Sequence, residues 1–193
     1  MRSEQRIGRL EQVLSYRQPD LTVVIENIHD PHNVSAMLRS CDAAGVMQVQ
    51  LVYTNEEFPD LGKKSSASAL KWVEQRRFNS LKECYDRLHA EGFVIYATHL
   101  GDKSLSLYEL DLKKKIALVF GNEHRGLSDE AGRLADANFQ IPMFGMIQSL
   151  NVSVACAVTL FEAVRQRLSA GHYERRKMTE KEFAQMLKEW ERK

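Results

Sequence analysis

The chain has no apolar run long enough to cross a bilayer: its longest, Val152 to Phe161, stops short and carries Ser153 and Thr159. Its first residues, MRSEQRIGRLEQ, alternate charge with apolar side chains and hold no apolar core of a secretory signal. Cysteine is scarce, three in 193 residues, without metal-type spacing. Cys41, Cys84 and Cys156 are therefore expected to be small buried or half-buried side chains in a reducing compartment, and the cytoplasm is the expected location. Neither GxGxxG nor GxxxxGK[ST] occurs, which removes support for dinucleotide and triphosphate binding. The six histidines show no HExxH or comparable spacing, so no metal centre is expected. A dominant charge is missing too: 27 Lys and Arg face 26 Asp and Glu. Repeats and low-complexity linkers are also absent.

What is present is an alternation of strand and helix signals. LTVVIE (21–26) is a short β-branched apolar run, followed by a turn-like HDPH and a helical stretch from Asn33 to Ala44 that Gly45 stops. VMQVQLVY (46–53), WVEQRRF (72–78), FVIYATHL (93–100), KIALVFG (115–121) and NFQIP (138–142) read as further strands. Leu81, Cys84, Tyr85 and Leu88 give residues 80–90 helical spacing, and a short helix is expected near 128–135. A long helix should run from about Leu150 to Leu168; its first turns are apolar almost all round, which suits burial or a subunit interface. TEKEFAQMLKEW (179–190) reads as an amphipathic helix with a Thr179 and Glu182 capping box. This rhythm predicts an α/β fold with a mostly parallel sheet over residues 20–170, flanked by helical extensions at 1–19 and 171–193.

Three polar clusters follow strand signals, where open α/β sheets place their ligands. In HDPHNVSAMLRS, Asn33 is either a plain helix cap or a site residue, and Arg39 either faces solvent or offers a guanidinium fork to a phosphate. In FGNEHRGLS, Gly121 and Gly126 bracket a loop that can approach a ligand closely, and Glu123 with His124 is either an acid/base pair or a surface feature. In IPMFGMIQSLNVSVA, Ser149 is either a cap or part of a pocket whose backbone reads an adenine edge.

Together, NVSAMLRSCDAAGV, VFGNEHRGLS and IPMFGMIQSLNVSVA resemble the three motifs of the SpoU/TrmH family of SPOUT methyltransferases, and the likeness covers almost the entire chain, the tail after Gly171 being the least similar part. The resemblance implies a parallel sheet whose C-terminal part is tied into a trefoil knot. It also implies a homodimer, an S-adenosylmethionine cofactor, and methylation of a ribose 2′-hydroxyl in tRNA, at guanosine 18 of the D-loop. By motif match, Thr98, Gly121, Ile141 and Leu150 would hold the cofactor, and Arg39 would activate the hydroxyl with Asn33, Glu123, Ser149 and Asn151 shaping the site. Guanidinium normally stays protonated, so orientation of the hydroxyl with phosphate-assisted proton removal suits Arg39 better than literal deprotonation.

Charge distribution adds an RNA expectation. Arg165, Arg167, Arg175, Arg176 and Lys177 stand against Glu174 alone, and Arg6 and Arg9 belong to a second basic segment with Arg2 and Arg17. Such segments suit a phosphate backbone, although solvated helix faces carry similar charge. Two alternatives remain beside the guanosine-18 reading: a related enzyme acting on another tRNA position or on ribosomal RNA, and a catalytically silent RNA-binding module. A nicotinamide-dependent enzyme lacks its glycine fingerprint.

Overall fold

The computed structural model describes residues 4–54, 57–60, 69–99, 101 and 103–193. Arg2, Leu100, Asp102 and most of the polar stretch at 54–71 lie outside them. The elements run α1 (Glu4–Ser15), β1 (Leu21–Glu26), α2 (Pro31–Ala43), β2 (Gln48–Val52), α3 (Ala69–Trp72), β3 (Glu74–Phe78), α4 (Leu81–Ala90) and β4 (Val94–Thr98). They continue with β5 (Leu105–Ser106), a 3-10 turn (Leu107–Glu109), β6 (Ile116–Phe120), α5 (Asp129–Leu134), β7 (Ala137–Gln140), α6 (Val152–Ser169) and α7 (Glu180–Glu191).

Among the described residues seven strands form one sheet in the order β3-β2-β1-β6-β4-β7-β5, every pair parallel. β1 and β6 sit at the centre, and their eleven residues are all buried because helices cover both faces. Val23, Ile25, Leu118 and Phe120 point into one core with Met37, Leu38 and Leu160; Val24, Ala117 and Val119 point into the other with Leu81, Tyr85 and Leu88. The chain winds outward from β1 to β2 and β3, then returns across β1 to the β4 side. That reversal opens a crevice beyond the carboxyl ends of β1, β6, β4 and β7.

The ends of the chain pack together. Leu10 and Leu14 of α1 join Met178 and Trp190, with Met47 and Trp72 against them. The fully buried Arg17 lies 5.1 Å from the Trp190 ring, pairs with Asp42 and donates to the carbonyl of Val46 at 2.9 Å.

Some boundaries differ from the sequence expectation. The helix after β1 starts at Pro31, capped by Asp30, whose carboxylate accepts from the His32 N–H at 2.8 Å. Asn33 is therefore not a cap. The long helix starts at Val152 with Asn151 as its cap, so Ser149 is not one either. Residues 72 and 73 close the short helix α3 and its exit, leaving the third strand to begin at Glu74.

Candidate active site

A cavity of about 560 Å³ occupies the crevice, within the usual range for a small-molecule site. Eight of the nine residues singled out for catalysis and cofactor binding line it: Asn33, Thr98, Gly121, Glu123, Ile141, Ser149, Leu150 and Asn151. Arg39 does not. It lies on α2 six residues beyond Asn33, roughly 9 Å further along the helix axis, with its side chain exposed.

The polar end is a chain of hydrogen bonds that joins the three motifs. Asn151 donates through Nδ2 to Oδ1 of Asn33 at 3.0 Å, and Asn33 donates through its own Nδ2 to Oε1 of Glu123 at 3.0 Å. The Glu123 carboxylate also accepts the backbone N–H groups of Asp30 at 3.0 Å and His29 at 3.2 Å. Because Asp30 and Asn151 cap α2 and α6, the Asn33 amide is released to bridge them. Two helix starts and one loop are thereby held at a common point.

Burial of the Glu123 carboxylate opposes its ionisation, but the donations from Asn33 and from the backbone outweigh it and hold the carboxyl below its usual range. A depressed folded value means that this ionised network stabilises the fold above the ordinary carboxylate range and is lost as pH falls through the folded value. The unfolding free energy of wild type should thus exceed that of Glu123→Gln at neutral pH, by no more than about 1 kcal/mol given solvent screening. The gap should close below about pH 4; a gap that persists in acid would show that the negative charge is not what matters.

Gly121 and Gly126 shape the loop on which Glu123 stands. A Cβ on Gly121 would lie 2.4 Å from the Gly126 oxygen and from the Leu127 nitrogen, so only glycine fits. Gly126 has φ +70 and donates its N–H to the Asn122 carbonyl at 2.8 Å. Asn122 ties the loop down from inside: its Oδ1 accepts from His124 and Arg125, and its Nδ2 donates to the Asn27 carbonyl at 2.7 Å. Asn27 itself has φ 49, the left-handed region where asparagine is tolerated. Elsewhere in the lining Thr98 donates its hydroxyl to the Val119 carbonyl at 2.9 Å, and Ile141, Leu150, Val152 and Ala155 give an apolar surface.

Sequence reasoning passed over His29, Asp30, His99, Asn122 and Gln148, which also line the cavity. The Asp30–Pro31 pair carries a usable helix-start signal; Gln148 and His99 carry none.

Of the expected RNA ligands, Arg6, Arg9, Arg165 and Arg175 are exposed. Arg9 donates to Gln12, and Arg165 makes a two-pronged contact with Glu162 at 2.8 and 2.7 Å. Arg176 pairs with Glu180 and lies 4.2 Å from the Phe183 ring. Lys177 sits 2.5 Å from Asp20 and 2.8 Å from Nδ1 of His172. Arg167 has to be removed from the list of RNA ligands. It is fully buried, and its guanidinium donates to the carbonyls of Leu112, Asp20 and Lys114, to Gln18 and to the Asp20 carboxylate. Among the described residues no helix is long and apolar enough to span a membrane, and no group of side chains is arranged to hold a metal.

Sheet order and cavity define a parallel α/β protein with a small-molecule site at the carboxyl edge of its strands. The chain belongs to the SpoU rRNA Methylase family, whose profile matches residues 20–161. It is 47% identical over 192 residues to the tRNA (guanosine(18)-2′-O)-methyltransferase of Thermus thermophilus, covering 100% of this chain and 98% of the relative. A crystal structure of the TrmH/SpoU tRNA modifying enzyme of A. aeolicus superposes with a TM-score of 0.91 at 38% identity, covering 97% of this chain and 95% of that one. The SpoU methyltransferase AviRb of Streptomyces viridochromogenes, solved in complex with AdoMet, gives 0.71 at 29% identity over 79% of this chain and 60% of that one.

Proposed function

We propose that this chain methylates the ribose 2′-oxygen of guanosine 18 in tRNA, using S-adenosylmethionine, in the cytoplasm and as a homodimer. The observation that carries the reading is the Asn151–Asn33–Glu123 chain, which draws all three family motifs to one end of the cavity. The donor set fits the cofactor: Ile141, Leu150, Val152 and Ala155 suit a purine face, and the ionised Glu123 suits a ligand with positive charge on sulfur. When bound, that ligand supplies a methyl carbon already activated for attack by oxygen, the carbon–sulfur bond breaking with its electron pair left on sulfur.

The protein's own share is to place the hydroxyl and relieve it of its proton. Asn33, Ser149 and Asn151 offer neutral hydrogen-bonding groups to the cavity, and the clamp on Glu123 keeps Asn33 and Asn151 in fixed positions. Arg39 is assigned to orienting the hydroxyl and the adjacent phosphate across a subunit boundary. Support for that boundary comes from α6, where Val154, Phe161 and Leu168 are 46, 52 and 57% exposed on one stripe while Cys156, Leu160 and Ala163 are buried against α2. The placement of β6 between β1 and β4, with β7 beyond β4, supports the trefoil knot implied by family membership. Arg6, Arg9, Arg165, Arg175, Arg176 and Lys177 remain as contacts for the tRNA backbone.

The test is to incubate unmodified tRNA with labelled cofactor and map the methyl group. Methylation at a different nucleotide, or of ribosomal RNA alone, rejects the assigned position; absence of both methylation and cofactor binding favours a silent RNA-binding module. Replacing Arg39 by alanine should lower kcat by about 10²-fold or more while cofactor affinity, read by calorimetry, stays essentially unchanged. Loss of cofactor binding would move Arg39 from chemistry to structure.

A further inference from the structure

We infer that Glu26 is a positioning residue for the cofactor, acting through Ser128 to fix the far end of the loop that lines the cavity. The assignment rests on the methyltransferase reading above. Glu26 is the last residue of β1 and is buried. A carboxylate taken out of water at the end of a central strand needs hydrogen-bond donors to hold it there. Ser128 supplies two: its backbone N–H reaches Oε2 at 3.0 Å and its hydroxyl reaches Oε1 at 2.6 Å. Alternation along β1 explains the reach. Ile25 stands opposite Phe120 of β6 and turns into one core, so Glu26 turns to the face of Val24, where Ala131 of α5 is buried and Leu127 packs. Neither Glu26 nor Ser128 is part of the cavity wall.

The consequence falls on the chain between β6 and α5. Of the seven residues from Gly121 to Leu127, all but Arg125 line the cavity. The near end of this loop is tied down through Asn122, whose Nδ2 donates to the Asn27 carbonyl at 2.7 Å. The far end is tied down through Ser128 to Glu26. Two consecutive residues at the exit of β1 thus hold both ends of the loop, and an entering ligand meets a wall that is already ordered. Ser128 is itself exposed, so when it is released from Glu26 its N–H and hydroxyl can turn to water. Cutting the tie therefore loosens the wall without leaving Ser128 unsatisfied, and the ligand then has to order the loop as it binds. Ser128 has a second task, because its Oγ accepts the Ala131 N–H at 3.1 Å as the cap of α5. The two tasks can be separated. Aspartate caps a helix as well as serine does, but its carboxylate only accepts and has nothing to donate to Glu26. Threonine keeps both the cap and the donor.

The experiment compares wild type, Ser128→Asp, Ser128→Thr, Glu26→Ala and the Glu26→Ala/Ser128→Asp double variant. Affinity for S-adenosylmethionine is measured by calorimetry, single-turnover methylation of tRNA at saturating cofactor gives the rate, and urea unfolding gives the stability. Ser128→Asp should bind cofactor about tenfold more weakly, the worth of roughly one hydrogen bond to a carboxylate. Its rate at saturating cofactor and its unfolding should stay close to wild type, since the reacting groups and the helix cap are kept. Ser128→Thr should bind as wild type does. Glu26→Ala should weaken binding as Ser128→Asp does, and adding Ser128→Asp to it should change nothing further, because both cut the same tie. Wild-type affinity in Ser128→Asp, or an equal loss from that change with and without Glu26, overturns the assignment while leaving methylation established. Should Glu26→Ala fail to fold, the Ser128 pair still decides, since equal affinities in the aspartate and threonine variants overturn the proposal. Failure of wild type to bind cofactor or methylate tRNA would sink the underlying reading instead.

Discussion

Gly121→Ala is expected to abolish cofactor binding and methyl transfer together and to lower stability by about 3 kcal/mol or more, the range of backbone-level clashes in a packed core. The cause is geometric. Gly121 directly follows the central strand β6, and the chain folds back so tightly that Asn122 and Gly126 form an isolated bridge. A methyl group on Gly121 would overlap the Gly126 carbonyl, at 2.4 Å from the oxygen and 2.5 Å from its carbon. Those are backbone atoms, which cannot rotate away as a side chain would, so the loop must open. Opening it breaks the Gly126-to-Asn122 hydrogen bond, frees Asn122 from the Asn27 carbonyl and displaces Glu123 from Asn33. Calorimetry against S-adenosylmethionine and urea unfolding check the two halves separately. A variant that unfolds earlier but still binds cofactor at wild-type affinity would show that the loop's closed form is not what the cofactor needs. Gly126→Ala is the useful comparison. A Cβ there meets nothing within 4 Å, and only the positive φ of +70 opposes it, so a milder loss of about 1 kcal/mol is expected.

The contrast between those two glycines marks where sequence reading stops. Both punctuate GNEHRG, and the motif identifies the loop, yet only the fold-back distance distinguishes a steric requirement from a conformational preference. The same limit applied to the helix starts. HDPHN and SLN each offer two cap-competent residues a few positions apart, and the plain rule cannot choose between Asp30 and Asn33 or between Ser149 and Asn151. The structure selects Asp30 and Asn151, and that selection turns Asn33 into the bridge of the site. The strands, by contrast, were readable because β1 and β6 are buried on both faces, and a doubly buried strand has to be a continuous apolar run. The two-residue β5 and the four-residue α3 were not, since neither is long enough to show a period. Charge counting fails for a related reason. Arg165 and Arg167 add equally to the net charge of α6, but two helical positions point about 200° apart, so one reaches solvent and the other the interior.

Arg167 therefore supplies the second large effect, on folding. Replacing it with methionine keeps the aliphatic stem and removes a guanidinium that satisfies three carbonyls, the Gln18 amide oxygen and one oxygen of Asp20. The lost contacts tie α6 to the turn before β1, at Gln18 and Asp20, and to the turn before β6, at Leu112 and Lys114. Breaking a buried charge pair from one side costs about 3–5 kcal/mol, because the partner groups stay buried without their donor. Asp20 keeps Lys177 at 2.5 Å, which places the expected loss toward the lower end of that range. For a chain of this length the unfolding midpoint should fall by roughly 10 °C. The Asp20 carboxyl should respond as well. Burial raises it, but Lys177 and Arg167 together hold it below the usual range, so losing Arg167 moves it upward. Because a lowered folded value stabilises above the carboxylate range and fails in acid, the variant should show a shallower loss of stability below pH 5 than wild type. Under conditions where the variant is folded, the salt dependence of tRNA binding should match wild type, whereas a phosphate ligand would take about one unit off the slope. A reduced slope with unchanged stability would return Arg167 to the RNA surface and contradict the buried position that its five hydrogen bonds define.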